Sequence, residues 1–290
     1  MENVNDTPAA RPVLTFLAGH SRRFRAGHPW AFSNEITMTP ELRALPAGGL
    51  VTLSDAGGER LGVATFNPHS LIAARVLCRD AGRAIDQSFL AERLERALAL
   101  RSRLYPRPFY RLIHSEADGL PGLVVDRYGD VLAAQVNSAG MEALLPLLLE
   151  AMRQVLAPRA VVLRNDAAVR TLEGLGLYHR VALGELDGPV EIVENGARFL
   201  ADLAEGQKTG WFYDQRDNRA FMASLAQGRR AIDLYTYAGG FAIQAALGGA
   251  TEVLAVDRSE ASLALAERAA ALNGVEDKCR FLRAEAFGEM

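Results

Sequence analysis

A glycine-rich segment in the last third of the chain has the residue types of a ligand-binding turn. It reads Asp233-Leu-Tyr-Thr-Tyr-Ala-Gly-Gly-Phe241 and connects an apolar run typical of a buried strand to a run typical of a helix. Open α/β sheets bind ligands at turns of this kind. Glycine lets the backbone approach a ligand closely, because it has no β-carbon. Asp233, Gly239 and Gly240 are therefore candidate binding residues.

Two acidic residues lie just after the next two apolar runs that have the pattern of strands. Asp257 follows residues 251–256 and is 18 residues beyond Gly239, so its carboxylate is placed to accept hydrogen bonds from both hydroxyls of a ribose. Glu285, with Ala286 beside it, follows the third run and is placed to contact an adenine edge. The alternation of strands and helices over this part of the chain predicts a parallel sheet.

These features favour a ligand that contains a nucleoside, and two cofactors fit that description. NAD carries a pyrophosphate, which favours the pattern G-x-G-x-x-G at the start of the helix, and this loop does not have it. S-adenosylmethionine (SAM) has no phosphate, but it has an ammonium group that Asp233 can bind. SAM is the favoured cofactor, with NAD as the alternative. A tight turn at the glycines and a helix cap at Asp257 would explain the same residues without a ligand.

A second segment, just upstream of the predicted parallel sheet, differs from an ordinary loop. It reads Gly206-Gln-Lys-Thr-Gly-Trp-Phe-Tyr-Asp-Gln-Arg-Asp-Asn-Arg219 and places three consecutive aromatic residues among five charged ones. A solvated loop followed by a charged helix start would account for the charges. Such a loop rarely carries Trp, Phe and Tyr in a row, so the segment is a further candidate for the ligand site.

Four parts of the chain resemble, in the same order, the bacterial 23S ribosomal RNA (cytosine-5)-methyltransferase family. The first two are Gly27-His-Pro-Trp-Ala-Phe-Ser33 and the stretch from Asn67 to Leu77. The third is Tyr110-Arg-Leu-Ile-His-Ser-Glu-Ala-Asp-Gly-Leu-Pro-Gly-Leu-Val-Val-Asp-Arg-Tyr-Gly129, and the fourth joins the two segments described above with Asp257. The resemblance spans about residues 14 to 287. An ordered set of four motifs is far more specific than any one of them.

The resemblance implies a multidomain protein of α/β and α+β class. After a tail at residues 1–12, we expect an N-terminal PUA-like β-barrel that binds RNA at residues 13–82 and a central α+β domain at residues 83–203. A Rossmann-like SAM-dependent methyltransferase domain is expected at residues 204–290. Only three strands of its sheet precede Met290, where such sheets usually have five or more, so we expect this domain to be truncated.

The resemblance also assigns roles to residues of this chain. Carried over position by position, the cofactor-binding residues are Lys208, Thr209, Gly210, Trp211, Phe212, Asp214 and Arg216 upstream, and Asp233, Gly239, Gly240, Phe241 and Asp257 in the predicted sheet. Glu285, which stands where the family more often has Asp, and Ala286 complete the expected set.

Carbon-5 methylation of cytosine requires a cysteine thiolate that attacks carbon 6 of the ring, because carbon 5 is otherwise a poor nucleophile. The resemblance places that cysteine beyond residue 290. Cys78 and Cys279 are better interpreted as small hydrophobic residues, buried or partly exposed, so no catalytic residue is assigned. We therefore expect the chain of 290 residues to be inactive by itself.

Composition limits the remaining possibilities. The 290 residues carry a net charge of −3 and two cysteines, with neither a disulfide framework nor a metal-binding signature. The start of the chain lacks the apolar core of a signal peptide, and no apolar run has the length of a membrane span. These features predict a cytoplasmic protein that does not contact a membrane.

Two clusters of arginine without acidic neighbours are candidates for RNA binding. They are Arg22, Arg23 and Arg25, and, interleaved with aromatic residues, Arg101, Arg103, Arg107 and Arg111. Guanidinium groups pair with phosphates, and aromatic rings stack on unpaired bases. An ordinary solvated face would explain each cluster equally well when it is considered alone, and the resemblance favours RNA.

The sequence therefore predicts a SAM-dependent enzyme that methylates carbon 5 of a cytosine in 23S ribosomal RNA. The alternatives are methylation of another RNA base and a non-catalytic RNA-binding protein. The sequence allows a homodimer and does not fix the oligomeric state.

Overall fold

The computed structural model describes residues 10–204, 206 and 209–285, and the chain divides into two compact units. The first unit comprises Met1–Pro106 with Arg111–Glu185, and the second comprises Arg107–Tyr110 with Leu186–Met290. The division falls between residues 185 and 186, upstream of the boundary predicted after residue 203. The three-domain division stays a prediction.

The first unit opens with a five-stranded sheet in the order β1-β3-β4-β5-β2. The strands are β1 (Val13–Thr15), β2 (Trp30–Ala31), β3 (Gly49–Ser54), β4 (Arg60–Phe66) and β5 (Ala74–Cys78), with the short helices α1 (Arg22–Arg25) and α2 (Pro40–Arg43) between them. Strand β1 pairs in parallel with β3, and the other pairings are antiparallel. Leu14, Phe16, Leu53 and Phe66 are buried in its core. All five strands lie within residues 13–82, where the PUA-like β-barrel is expected.

A second five-stranded sheet in this unit has the order β10-β9-β8-β7-β6. Its strands are β6 (Phe109–His114), β7 (Leu123–Tyr128), β8 (Val131–Val136), β9 (Ala160–Asn165) and β10 (Tyr178–Gly184). Helix α3 (Gln87–Leu104) begins where the Asp86 carboxylate accepts a 2.9 Å hydrogen bond from the Phe89 amide. Leu90 and Leu94 bury one face of α3, as their spacing predicts.

The sequence predicts one helix over residues 141–156, and the structure contains two. Helix α4 (Ala139–Ala143) ends before α5 (Leu145–Leu156) begins. Pro146 lies in the first turn of α5, where its missing N–H is tolerated. Within one continuous helix, the ring of Pro146 would clash with the carbonyl of Glu142. The single-helix prediction was therefore wrong at this point.

The second unit begins with the hairpin of β11 (Val190–Glu194) and β12 (Ala197–Ala201). Its two turn residues, Asn195 and Gly196, have φ of 50° and 80°, as tight hairpin turns require. The elements that follow are α6 (Arg216–Ser224), β13 (Arg230–Leu234), α7 (Gly240–Leu247), β14 (Glu252–Asp257), α8 (Glu260–Leu272) and β15 (Cys279–Arg283). Strands β13, β14 and β15 form a parallel sheet in that order, so their carboxyl ends lie at one edge.

None of the helices within the described residues combines the length and the apolar character that a membrane crossing requires.

Candidate functional site

The glycine-rich segment forms a strained turn between β13 and α7. Tyr235 and Tyr237 have φ of 62° and 51°, in the left-handed region that residues with a β-carbon rarely adopt. The Thr236 amide donates a 3.0 Å hydrogen bond to the Val256 carbonyl, which holds the turn against β14. Strain of this kind persists where the surrounding contacts enforce it and is common at ligand sites.

Asp233 lies half-buried near the end of β13 and faces the start of α7. Its Oδ2 atom accepts hydrogen bonds from the Thr236 hydroxyl at 2.6 Å and from the Ala242 amide at 3.0 Å. Burial raises the pKa of Asp233 above its ordinary value, and these hydrogen bonds and the charge of Arg219 oppose that effect. Oδ1 has no hydrogen bond with a described residue, so Asp233 has an acceptor available for a cation.

Asp257, at the end of β14, is buried and holds two backbone amides. Its Oδ2 atom accepts from the Tyr237 amide at 2.9 Å, and its Oδ1 atom accepts from the Ser259 amide at 2.9 Å. A carboxylate has about four lone-pair sites, so each oxygen keeps one for a further donor. Asp257 therefore anchors the turn and holds Ser259, the N-cap residue of α8, and it retains the capacity to accept hydrogen bonds from ribose hydroxyls.

The two glycines of the turn are required by packing within the protein. Gly239 has φ of 80°, and a β-carbon there would lie 2.9 Å from the Ala266 β-carbon on α8. A β-carbon on Gly240 would lie 2.6 Å from Nε of Arg219 and 3.2 Å from the Trp211 ring. Close approach of a ligand is the reason that the sequence suggests for these glycines, and packing within the protein is a second reason.

The upstream segment places Trp211 in the core of the second unit. Its ring packs on Phe199 with the centroids 4.8 Å apart, and the Arg219 guanidinium lies 4.2 Å from the ring centroid on Trp211. The indole nitrogen donates a 3.2 Å hydrogen bond to Glu194, and Arg219 donates one of 2.6 Å to the same carboxylate. The position of Trp211 is thus fixed by packing of its ring on Phe199 and Arg219 and by the hydrogen bond from its indole nitrogen.

The upstream segment also contacts the glycine-rich turn directly. The Phe212 ring meets the Tyr237 ring edge to face, with the centroids 5.7 Å apart. The Tyr237 hydroxyl donates a 3.2 Å hydrogen bond to the Gly210 carbonyl. The two segments that the sequence analysis selected therefore meet at the carboxyl ends of β13 and β14.

An open groove of about 590 Å³ lies beside this place. Asp233, Tyr235 and Phe241 form part of its wall, and the apolar side chains of Met222 on α6 and of Leu225, just after that helix, form another part. Asp257 does not line the groove. The groove therefore lacks the acid that a ribose requires, and it is not where the nucleoside part of a ligand is expected.

Comparison with known proteins identifies the family. Residues 14–79 match the model of a PUA-like domain, and residues 179–289 match that of S-adenosylmethionine-dependent methyltransferases. The ribosomal RNA large subunit methyltransferase I of Erwinia tasmaniensis is 38% identical over 279 residues, which cover 94% of this chain and 70% of that protein. The chain belongs to the ribosomal RNA large subunit methyltransferase I family. The Klebsiella pneumoniae (strain 342) member is 35% identical over 287 residues, with coverage of 97% and 71%.

Solved structures agree on the fold. A candidate SAM-dependent methyltransferase from Streptococcus mutans matches with a TM-score of 0.78 and 19% identity, over 96% of this chain and 72% of that one. A methyltransferase complexed with S-adenosylhomocysteine (SAH) matches with a TM-score of 0.80 at 19% identity, with coverage of 96% and 71%. The cofactor of the family is SAM, and the available acceptors on Asp233 and Asp257 fit its ammonium and ribose groups. The expected fold class and cofactor are confirmed.

The structure positions the other predicted cofactor residues in different ways. Thr209, Gly210 and Trp211 are buried, whereas Asp214 and Glu285 are exposed. Arg216 donates a 3.3 Å hydrogen bond from Nε to Glu194, and Phe241 lies half-buried at the start of α7. Lys208 and Ala286 lie outside the described residues. The cofactor-binding role of every residue in the set stays a prediction.

Neither cysteine is placed as the thiolate that family chemistry at carbon 5 requires. Cys78 lies at the end of β5, within the PUA-like sheet. Cys279 begins β15, and burial raises the pKa of its thiol to about 11, so the thiolate is scarce near neutral pH. These positions support the interpretation of both as structural residues.

Several arginines of the two clusters form ion pairs in the structure, although no acid lies beside them in the sequence. Arg25 pairs with Asp55 at 2.7 Å and with Glu59 at 2.6 Å. Arg101 makes two hydrogen bonds of 2.5 and 2.7 Å to Asp118. Arg111 holds Asp126, which is fully buried, at 2.9 Å.

The other arginines of the clusters are more available. Arg23 is exposed and lies 3.7 Å from Glu35. Arg22, Arg103 and Arg107 are exposed and make no ion pair with a described residue. Contact of any of these arginines with RNA stays a prediction.

Sequence reasoning missed Glu194 and Gln244. Glu194 is fully buried at the end of β11 and accepts hydrogen bonds from three side chains, while its carbonyl accepts one of 3.0 Å from the Gln244 side chain. A glutamate next to an Asn-Gly turn has the local pattern of an exposed residue. Its partners are 17 to 50 residues away, and no local signal reveals them.

Proposed function

We propose that this chain is a SAM-dependent methyltransferase of large-subunit ribosomal RNA and that its target is carbon 5 of a cytosine in 23S RNA. The observation that carries the cofactor site is the convergence of Asp233 and Asp257 at the ends of adjacent parallel strands. Each keeps an available acceptor oxygen beside the strained turn. Asp233 binds the ammonium group of the cofactor, and Asp257 binds its ribose hydroxyls.

The RNA substrate is supported by the names of the relatives and by the PUA-like match over residues 14–79. The exposed arginines Arg22 and Arg23 lie on α1 within that match and present positive charge for phosphates. A cytoplasmic location follows from ribosomal RNA as the substrate. The three-part organisation into PUA-like, central and SAM-binding domains belongs to the same proposal.

Methylation at carbon 5 is the finer part of the proposal, and a second candidate reaction differs from it in chemistry. Attack at carbon 6 by a thiolate is needed before carbon 5 can accept a methyl group. Transfer to an exocyclic amine needs no thiolate. The high pKa of Cys279 and the position of Cys78 in β5 argue against either cysteine as the attacking group. Methylation of an exocyclic amine therefore stays the second candidate reaction.

The cofactor site is tested by calorimetric titration of the chain with SAH. Asp257→Ala removes the ribose acceptor and should abolish measurable binding, and NAD should not bind the unaltered chain. Asp277→Asn is the matched control, because Asp277 is an exposed carboxylate outside the proposed site. Equal affinity of Asp257→Ala and the unaltered chain for SAH would reject the placement.

The target is tested by incubating the chain with unmodified large-subunit ribosomal RNA and SAM that carries a labelled methyl group. Formation of 5-methylcytidine in the digested RNA would support carbon 5 as the target and would overturn the expectation that these 290 residues are inactive by themselves. Detection of a labelled nucleoside with a methylated amine would show that the target is an exocyclic amine and not carbon 5. Binding of SAH and RNA without transfer would favour a non-catalytic RNA-binding role for these 290 residues.

A further inference from the structure

One buried carboxylate joins the segments that form the proposed cofactor site. Glu194 accepts hydrogen bonds from Arg219 at 2.6 Å, from the Trp211 indole at 3.2 Å and from Arg216 at 3.3 Å. Its backbone carbonyl accepts from the Gln244 side chain at 3.0 Å. Its own side chain has no exposed surface.

These partners lie at three places in the second unit. Trp211 precedes α6 in the upstream segment, Arg219 ends that segment within α6, and Gln244 lies on α7, which begins at the glycine-rich turn. A buried ion pair is often no more stabilising than apolar side chains of the same volume, because both charges lose their hydration. Its directional hydrogen bonds nevertheless hold the groups around it in one geometry.

The contacts of Glu194 reach the turn through Arg219. Nε of Arg219 lies against Gly240 so closely that a β-carbon there would be 2.6 Å away. The guanidinium carbon is 4.2 Å from the Trp211 ring centroid and 5.6 Å from that of Phe241. Displacement of Arg219 would therefore remove a side chain against which Gly240 of the glycine-rich turn packs.

We infer that Glu194 is a positioning residue for SAM: it holds Arg219 and Trp211 against Gly240, so that the turn and the upstream segment keep the geometry that binds the cofactor. The inference rests on the proposed placement of the cofactor at the ends of β13 and β14. Glu194 acts through its partners and does not contact the ligand.

The first test compares two glutamates of the same strand by calorimetric titration with SAH. Glu194→Gln keeps the size of the side chain and removes its charge, and the affinity should fall by roughly tenfold, as expected when a charged hydrogen-bond partner is lost. Glu191→Gln is the control, because Glu191 is exposed and pairs with exposed Arg198 at 2.7 Å. Equal affinities of both variants and the unaltered chain would overturn the inference.

A second variant separates positioning from stability. Glu194→Gln leaves Arg219 buried without its carboxylate, which can unfold the domain. The double variant Glu194→Gln with Arg219→Met removes both charges and retains apolar volume beside Trp211. It should unfold at a temperature near that of the unaltered chain and still bind SAH roughly tenfold more weakly. A folded double variant with unaltered affinity would show that the pair only stabilises the fold.

Trp211 provides a spectroscopic measurement of the same geometry. The chain has two tryptophans, so Trp30→Phe leaves Trp211 as the sole indole emitter. In that background, Glu194→Gln should shift the ligand-free emission and reduce the change on addition of SAH, because the indole nitrogen loses its charged hydrogen-bond partner. Emission that does not respond to Glu194→Gln would contradict the inference. Failure of the unaltered chain to bind SAH would instead reject the proposed placement, and the inference with it.

Discussion

At the scale of single residues, the two acids of the proposed cofactor site each accept two hydrogen bonds from the protein but distribute them differently over their oxygens. Asp257 divides its two hydrogen bonds between both oxygens, whereas Asp233 receives both on Oδ2. Burial raises the pKa of Asp233, with a smaller effect in the same direction from the charge of Asp257. The raised pKa moves the ionisation of Asp233 to higher pH. A bound cation would offset the cost of burying the negative charge of this carboxylate.

The first prediction concerns the pH dependence that Asp233 causes. Its pKa in the folded chain lies above 3.8, so the folded state holds this proton more tightly than the unfolded state does. As pH rises through the interval between those two values, the free energy of unfolding should fall, while the affinity for SAH should rise because only the ionised carboxylate attracts the ammonium group. Calorimetric titrations and denaturant unfolding from about pH 4 to 7 measure both trends.

Asp233→Asn isolates this contribution, since the amide does not titrate. The pH-dependent differences between the variant and the unaltered chain should carry opposite signs for stability and for affinity. The profile of the variant must be subtracted from that of the unaltered chain, because other acids also titrate. The pKa values of Glu116 and Glu173 are lowered, so their protonation makes the fold less stable as pH falls. Identical pH profiles of SAH affinity in both proteins would exclude Asp233 from ammonium binding.

The second prediction separates arginines that hold the fold from arginines available to RNA. Arg101 and Arg103 lie in the last turn of α3, but only Arg101 pairs with a largely buried acid, Asp118. Arg101→Ala should lower the free energy of unfolding by about 3 kcal/mol, because it leaves that acid without its partner. Arg103→Ala should leave the free energy of unfolding nearly unchanged. Where this helix contacts RNA, the variant should lower the slope of log affinity against log salt concentration by roughly one.

Unfolding in denaturant and RNA titrations at several salt concentrations measure these effects. A salt slope that Arg103→Ala leaves unchanged would remove this residue from the RNA-binding set. Loss of stability in Arg103→Ala would show that its charge is used within the protein.

At the scale of elements, the junction of the turn and α7 depends on two separate properties of glycine. Gly239 needs a positive φ and also lacks room for a β-carbon, whereas Gly274, after α8, has φ of 63° and open space around it. The third prediction is that Gly274→Ala costs about 1 kcal/mol of unfolding free energy from backbone strain alone. Gly239→Ala should cost at least about 1 kcal/mol more, because α8 must also move.

Denaturant unfolding of both variants gives the difference directly. Equal costs would mean that Ala266 yields without penalty and that only the backbone conformation requires glycine at position 239. In that case Gly239→Ala should bind SAH normally, because the turn would have kept its shape.

The elements of the second unit were predictable because each depends on local signals. The alternation of apolar runs predicted the parallel sheet of β13, β14 and β15, and the predicted run at residues 251–256 agrees with β14 to within one residue. The break before Pro146 was missed, because apolar spacing continues across it and only the clash with a carbonyl four residues earlier ends the helix.

At the scale of the whole molecule, the sequence and the family resemblance together identified the class of enzyme and selected two segments that meet in the structure, but they did not reveal the contacts that join those segments. The pair of Arg101 with Asp118 spans 17 residues, and that of Arg219 with Glu194 spans 25. Such pairs depend on how strands and helices assemble, so residues that look solvated in the sequence become buried partners. The Gly240 side of the turn was likewise assigned to a ligand, although Arg219 lies against it.

The sheet of the second unit also has a consequence for the behaviour of the chain in solution. Among the described residues, β13 is an edge strand, and Ile232 on it is 61% exposed. Leu225, just after α6, lines the same groove as Ile232 and is 57% exposed. Unpaired backbone groups beside exposed apolar side chains favour association between copies.

The fourth prediction is that the chain associates as its concentration rises and that Ile232→Lys reduces this association, because a charge on an edge strand disfavours pairing with another edge. Leu172→Lys is the control, since Leu172 is 75% exposed but lies in a short 3₁₀ segment of the first unit. Sedimentation velocity over a hundredfold range of concentration measures the effect. A sedimentation coefficient independent of concentration would show that the edge of β13 does not drive association, whereas an equal effect of both lysines would assign it to net charge.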